Sequence, residues 1–457
     1  MSVPLPFPTN KGHSPLDIEQ YLTAEDRYDV YVVKAAERPH FLLLSNNENP
    51  DGDNNDEPEI IDGCDIQAWR KHGLGLGLKC NDDDDLFATV CLGSGNASVM
   101  LKRSSQWPLR KCFRGSTKSS KWNELKDRMM NSPSTERAAI VVDYKECIAS
   151  FKDTFEDGNM PAKILNAMTD WKAFSNGRKN DDNSNDTIKS GWTFDDFLSR
   201  FGNINWRFSD QHGEMMSLEC YAKYIFSEGE FDDSPLAIYD SEFGDDDSPT
   251  NQLLNEYNVP SCFSEDLFSL AADDDDNTAA SVPPFRWILI GPERSGTGLH
   301  IDPLFTNAWV ALLQGTKFWM LFPPETPPSE IGMDDRKPQI PSSIWFATYF
   351  DKVKGEKWPM AWRPVEVLQR RGEVVFVPAG WAHLVINLSL TVAVTHNYAC
   401  EHGPFERMWQ QVVEDEPSFA KRWYQGLKQK RPDLALRALS WHNKPNNRHW
   451  SDTVDIS

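Results

Sequence analysis

Paired cysteines are missing from this 457-residue sequence. Its eight cysteines (Cys64, Cys80, Cys91, Cys112, Cys147, Cys220, Cys262 and Cys400) never fall at a Cys-x-x-Cys spacing, so neither a zinc ribbon nor a disulfide scaffold is expected and reduced thiols fit best. No apolar run reaches membrane-spanning length, and the start, MSVPLPFPTNKG, lacks the charged and then hydrophobic plan of a secretory leader. A soluble, intracellular protein with no membrane partner is the expectation. Positive charge is scarce: 47 Lys and Arg face 69 Asp and Glu, a formal net charge of -22, which argues against a generally basic nucleic-acid binder. Much of the acid sits in runs such as NDDDDL, GDDDS and AADDDDNTAA, which read as solvated loops. No internal repeat is apparent.

What is present is enough apolar sequence for a sizeable core, 39% hydrophobic with 12% aromatic, in a chain longer than a usual single domain. Residues 1–135 carry short apolar runs between acidic and Gly-rich stretches and are expected to form a loosely folded or partly disordered extension. Its basic end, LKRSSQWPLRKCFRGSTKSSKW, reads first as a solvated face and only weakly as a phosphate-binding one. Residues 136–230 are expected to be a helical lead-in, because YKECIASFKDTF, AKILNAMTDWKAF and MSLECYAKYIFSE place apolar residues at helical spacing. In GWTFDDFLSRFG, Thr193 is a plausible N-cap ahead of Asp195 and Asp196. Residues 231–402 read as a β-rich core: PPFRWILIG, NAWVALL, TKFWMLFP, GEVVFVP, HLVINL and TVAVTHNYA are short strands bounded by turns. NAWVALL and TKFWMLFP, separated at Gln314 and Gly315, are expected to form a hairpin, and the Pro-rich span 323–371 an irregular insertion. A closed or double-sheet jelly roll hides the edges of so many strands. Residues 403–440 return to helix with Phe405, Met408, Trp409, Val412 and Val413 on one face, a stripe that can pack on the barrel or on a second copy. Residues 441–457 are a tail.

The chemistry gathers in two stretches. In RSGTGLHIDP, His300 and Asp302 stand two apart in an extended run, which puts both side chains on one face of a strand. In GEVVFVPAGWAHLVINL, His383 follows a turn and projects from another strand. Two imidazoles and one carboxylate on one face of an octahedron form the facial triad that binds Fe(II) with positions left open. Lys317, on the strand face of Trp319 and Leu321, either meets an anion in the interior or snorkels out beside the turn. Thr297 and Thr395 offer hydroxyls to the same anion, although strand threonines are ordinarily just good β-formers.

RSGTGLHIDP, AWVALLQGTKFW, LFP and GEVVFVPAGWAHLVINL, with the lead-in segments SPLAIYD and VPSCFSEDLF, resemble the JmjC oxygenases, most closely the group described as bifunctional arginine demethylase and lysyl hydroxylase. The likeness runs from about Ala138 to Leu439. It implies a mainly β core with flanking helices, a double-stranded β-helix (jelly-roll, cupin-like) barrel. It also implies Fe(II), with 2-oxoglutarate and dioxygen as co-substrates. Carried over residue by residue, the iron ligands fall on His300, Asp302 and His383, and the oxoglutarate contacts on Lys317, Thr297 and Thr395. Two departures stand out. The family's lead-in usually reads PLYIFD where this chain has PLAIYD, so Ala237 removes a phenol that Tyr239, two residues on, is placed to restore. Val310 stands where the family commonly has asparagine. The implied activity is hydroxylation of lysyl residues or demethylation of arginine in basic proteins, histones or RNA-associated proteins included, in the nucleus or otherwise the cytoplasm; the stripe around Met408 and Trp409 leaves a homodimer through the C-terminal helices and packing on its own barrel as equal alternatives. The alternatives are a catalytically weak barrel used as a protein-binding module and a sugar-binding or isomerase-type cupin using another metal.

Overall fold

The run from Asn307 to Phe322 does not fold back on itself. β14 (Asn307–Gln314) and β15 (Thr316–Phe322) are separated by one residue, yet they belong to different sheets. β14 pairs with β17 (Glu373–Val377) and β19 (Thr391–Tyr398), whereas β15 pairs with β16 (Val365–Arg370) and β18 (Ala382–Asn387). The expected hairpin is therefore a corner between sheets. Gly315 makes it possible: it has φ of 87°, and a Cβ there would lie 2.3 Å from the Leu390 carbonyl oxygen, conditions only glycine meets.

The computed structural model describes residues 118–132, 138–174, 191–208, 215–226, 229, 234–263, 265–271, 282–334 and 339–442, together with the backbone of seven strands between residues 18 and 100. The basic stretch 101–117, most of the acidic runs and residues 443–457 lie outside the described residues.

The chain divides into two units, one of residues 1–111 with 203–231 and one of 112–202 with 232–457. In the first, β1 (Ile18–Thr23), β2 (Tyr28–Lys34), β3 (Pro39–Ser45) and β4 (Glu59–Asp62) form an antiparallel sheet, and β5 (Leu74–Cys80), β6 (Leu86–Leu92) and β7 (Ser98–Met100) form another. The span read as a loosely folded or partly disordered extension contains these two sheets; Gly-interrupted runs such as LGLGLKC hide the period that marks a strand. The same unit holds β10 (Asn205–Arg207), β11 (Met215–Ser217) and a helix, Leu218–Ile225, so that part of the expected lead-in belongs elsewhere.

The second unit is the double-stranded β-helix. Its large sheet has the order β12 (Ile238–Asp240), β13 (Arg286–Gly291), β19, β14, β17, β9 (Ala162–Leu165), β8 (Ile140–Asp143), and its small sheet the order β16, β15, β18. Alternation along the strands sorts the residues. Ala308, Val310, Leu312, Trp319, Leu321, Val367, Val375, Val377, Val385 and Ala393, drawn from both sheets, form one cluster between them. The other face of the small sheet, with Phe318, Met320, Phe322, Leu384 and Ile386, packs against Trp122, Leu125 and Met129 of helix Lys118–Asn131 and against Trp345, Phe346, Phe350 and Val353 of helix Ser342–Lys354.

Three further expectations change here. Helix 118–131 lies within the span assigned to the extension, but its apolar residues are part of the barrel's outer core. The supposedly irregular span 323–371 contains a 13-residue helix and a strand. AKILNAMTDWKAF, expected to be helical, contributes β9, because pairing with β17 decides the conformation of a short apolar run that periodicity leaves ambiguous. The reading of Thr193 matches the structure: its side chain accepts from the Asp196 N–H at 3.1 Å at the start of helix Phe194–Phe201.

At the C-terminus, helices Phe405–Asp415, Pro417–Lys430 and Pro432–His442 bury Phe405, Met408, Trp409, Val412 and Val413 against each other and against Leu267, Phe268, Leu304 and Ala399 of the same chain. The stripe that suggested a dimer is thus already covered by its own barrel unit.

The corner gives the first prediction. Gly315→Ala will lose on the order of 2 kcal/mol from backbone strain and overlap, seen as a lower thermal midpoint, whereas alanine at exposed Lys357 will leave the midpoint unchanged.

Candidate metal centre

His300 and His383 face each other as a hydrogen-bonded pair. The His300 N–H donates to the His383 carbonyl at 3.0 Å and the His383 N–H returns to the His300 carbonyl at 2.8 Å. The segment leading to the His-x-Asp motif therefore runs antiparallel to β18. Opposed residues in such a pair present side chains on one face, and the two imidazole centroids lie 4.2 Å apart. Further back the Val385 N–H reaches the Thr297 carbonyl and the Asn387 N–H the Ser295 carbonyl. Four residues of one segment, 297 to 300, thus span three of the other, 383 to 385. That is a β-bulge. Thr297, three before His300, would face away in a regular strand, and the bulge returns it to the same side. Gly298 lies in the bulge, where a Cβ would fall 2.5 Å from the Ile340 carbonyl oxygen.

Each imidazole has its tautomer assigned by a backbone acceptor. Nδ1 of His300 lies 2.8 Å from the Gly298 carbonyl, and Nδ1 of His383 lies 2.9 Å from that of Trp381. With Nδ1–H donating there, the Nε2 lone pairs are free to bind a metal. Nε2 of His300 lies 3.7 Å and Nε2 of His383 3.8 Å from Asp302 Oδ1, and the three ligand atoms lie within 4.8 Å of one another. Two donors each about 2.1 Å from an ion and at right angles to it are roughly 3 Å apart, so the three need only draw slightly inward. Asp302 Oδ2 is buried with no hydrogen-bond partner. The Asn397 amide donates one N–H to Thr306 Oγ1 at 2.9 Å, and its other N–H helps hold the Asp302 carboxyl ionised without satisfying Oδ2. A buried carboxylate oxygen without a donor is costly unless a cation meets it. The donor set fits a divalent metal.

Charge follows the same plan. Burial pushes the Asp302 pKa up, but the two imidazoles beside it outweigh burial and hold it below the ordinary value. Burial, reinforced by the neighbouring His300, brings His383 down to about 4. For His300 burial also acts downward, but the Asp302 carboxylate prevails and its pKa is raised. About a quarter of the His300 side chain remains exposed, against 5% for His383, so His300 marks the open side of the centre.

The other predicted residues also line the interior. Lys317 is buried at 4% exposure and donates to Asn387 Oδ1 at 2.8 Å. The snorkelling alternative is excluded. Among the described residues no carboxylate forms an ion pair with Lys317, and burial brings its pKa down to about 7. Lys317 lies four residues along β15 from Leu321, which is paired with His383. At 3.3–3.4 Å per residue that separates the two Cα positions by about 13 Å. Thr297 Oγ1 lies 3.2 Å from the Tyr239 hydroxyl, so the phenol displaced from position 237 does reach the interior. Thr395 is buried, but its hydroxyl donates to the Trp309 carbonyl at 3.0 Å and so faces a new ligand as an acceptor only. Val310 is buried on the inner face, with its carbonyl taken by the Gln369 amide at 2.8 Å. Asn387 was missed in the sequence. It lies four residues past His383 on a strand, and strict alternation places it on the same face.

Residues 287–398 match the family described as JmjC domain, hydroxylase. The chain is 36% identical over 293 residues to the bifunctional arginine demethylase and lysyl-hydroxylase psr-1 of Caenorhabditis elegans, covering 63% of this chain and 67% of that protein. It is 35% identical over 311 residues to the protein of the same description from Caenorhabditis briggsae, covering 66% and 72%. It is 31% identical over 170 residues to the 2-oxoglutarate and iron-dependent oxygenase JMJD4 of Danio rerio, covering 37% of each.

The buried lysine has a measurable consequence in the free protein. The unfolded chain holds this proton up to about pH 10.4, the folded chain only to about 7. Unfolding therefore takes up a proton between those values, and the penalty of burying Lys317 shrinks as pH rises. Relative to Lys317→Met, the wild type will gain roughly 2 kcal/mol of unfolding free energy between pH 7 and 9, measured by denaturant titration; equal pH slopes for the two proteins would contradict this.

Proposed function

The chain belongs to the JmjC-domain hydroxylase family, and we propose that it is an Fe(II)- and 2-oxoglutarate-dependent oxygenase acting on protein side chains, lysyl carbon foremost and N-methylarginine second. One observation carries the reading: the reciprocal pair His300–His383 brings two Nε2 atoms to 3.7 and 3.8 Å from one Asp302 oxygen, with a buried lysine further along the inner face of the same sheet.

The roles follow from the geometry. His300, Asp302 and His383 would hold Fe(II) on one face and leave its other positions to co-substrate and dioxygen. Bound iron supplies the redox chemistry that couples oxidation of oxoglutarate to succinate and carbon dioxide with insertion of one oxygen atom into a substrate C–H bond. Lys317 pairs with the far carboxylate of oxoglutarate, and its charge counts for more because the site excludes water. Thr297 and Tyr239 present hydroxyls at the inner wall, where they orient the same molecule. The apolar cluster between the sheets keeps bulk water from the reacting atoms. On a lysyl carbon the alcohol is the product. On an N-methyl group the resulting hydroxymethylamine breaks its C–N bond, releasing formaldehyde and leaving the demethylated nitrogen.

The names of the psr-1 relatives support both substrate classes, and the net charge of -22 suits attraction of Lys/Arg-rich segments. Nuclear residence belongs to the same proposal; a tagged full chain found only in the cytoplasm would refute that part.

The test is turnover of a Lys/Arg-rich peptide with Fe(II), oxoglutarate and dioxygen. The expected result is succinate with a 1:1 gain of oxygen on lysine, and loss of at least 100-fold in Asp302→Ala. Equal succinate from both proteins would defeat the oxygenase reading, and loss of a methyl group without retained oxygen would move the assignment to demethylation.

A further inference from the structure

Lys317 meets one neutral side chain, and that side chain can point only one way. β18 pairs with β15 so that Asn387 stands directly opposite Lys317. Its Oδ1 accepts from Lys317 Nζ at 2.8 Å, and its Nδ2 donates to Ser295 Oγ at 2.8 Å. The Ser295 hydroxyl hydrogen is committed to the Pro292 carbonyl at 2.6 Å, so toward Asn387 the serine oxygen can act only as acceptor. A flipped amide would set its NH2 against an ammonium and its carbonyl against an oxygen with no hydrogen to give. The chain of donors runs in one direction, from Lys317 to Asn387 to Ser295 to Pro292.

All three side chains are buried, at 4%, 2% and 1% exposure. The neighbour across the other edge of β15 is Gln369, and it is occupied elsewhere: Nε2 donates to the carbonyls of Val310 and Glu373 at 2.8 and 3.0 Å, and Oε1 accepts from Trp319 Nε1 at 2.9 Å. The space for the Asn387–Ser295 contact comes from Gly291, where a Cβ would lie 2.4 Å from Ser295 Oγ and 2.6 Å from Asn387 Nδ2.

We propose that Asn387, locked in one amide orientation by Ser295, is the positioning residue that aims the Lys317 ammonium at the co-substrate's distal carboxylate while leaving its charge unspent. The inference rests on the reading of Lys317 as the carboxylate's partner. A carboxylate at position 387 would aim the amine equally well, but would neutralise it and repel the incoming anion. An apolar residue there would leave the amine with no fixed direction. The asparagine supplies a direct acceptor without a charge. Since burial holds the free lysine near neutrality, an added negative charge at 387 also has a distinct signature: it keeps the lysine protonated to higher pH.

The experiment measures oxoglutarate KM and kcat from pH 6 to 9 by succinate release in the wild type and in Lys317→Met, Asn387→Asp and Ser295→Ala. Lys317→Met is expected to raise KM at least 30-fold, and an unchanged KM there would reject the reading of Lys317 itself. With that arm intact, Asn387→Asp is expected to raise KM at least tenfold with kcat within threefold, and to move the pH at which KM begins to rise upward by a unit or more. Ser295→Ala is expected to raise KM three- to tenfold with kcat and thermal midpoint kept. Damage to folding alone would lower kcat and the midpoint without moving the pH dependence, and that outcome overturns the role of Asn387. If Asn387→Asp does not fold, an unchanged KM in Ser295→Ala overturns it.

Discussion

Two backbone hydrogen bonds between His300 and His383 are the constraint from which the site follows. They join a segment that forms no regular strand to the edge of the small sheet. Once joined, the opposed side chains must lie on one face, and Asp302, two residues on, completes the set. The distance of 83 positions along the chain is then irrelevant to the chemistry, because the sheet register sets the spacing of the donors. The bulge across Gly298 extends the same control to Thr297, which enters the site through a mismatch of one residue.

The positions of the ligands were legible because their signal is short-range. The two-residue offset of His300 and Asp302 and the turn before His383 state a face and a direction, and the likeness to the JmjC family joined the three into one ligand set. The sheet topology was less legible. NAWVALLQGTKFW has the pattern of a hairpin, and period-two alternation says which face a residue takes but not which sheet its strand joins. The backbone at Gly315 decides that. AKIL failed for a related reason: four apolar residues satisfy either period, and the pairing that makes them a strand lies more than 200 residues away. Asn387 was readable in principle, as the third inward residue of a strand whose first inward residue is His383, but asparagine in a strand carries no signal until its partner is known.

The interior is graded along β15 and β18. Leu321 and His383 are paired at the metal end, Trp319 and Val385 come next, and Lys317 and Asn387 lie deepest. A five-carbon molecule with a chelating end and a carboxylate end matches that gradient. Tyr239, two residues past Ala237, sets its hydroxyl 3.2 Å from Thr297 Oγ1. Val310 offers only its backbone, and the Gln369 amide already holds that carbonyl.

The turn that follows Asp302 links the site to the C-terminal helices. Leu304 and Phe305 both adopt left-handed backbone angles, φ of 55° and 57°, a conformation that costs bulky residues about 1–3 kcal/mol each. Such a turn persists only where the surroundings over-determine it. Leu304 is buried in the cluster formed by Phe405, Met408, Trp409 and Trp423. The Phe305 ring fills the place a side chain at Gly380 would need, since a Cβ there would lie 2.6 Å from its Cζ. Gly380 belongs to the turn that delivers His383. Asn307 ties the same two turns together by accepting from the Ala379 N–H at 2.8 Å. The helices therefore hold Asp302 and His383 in one rigid arrangement, and the apolar stripe that sequence alone could assign to a second copy is spent within the chain on fixing the ligand turns.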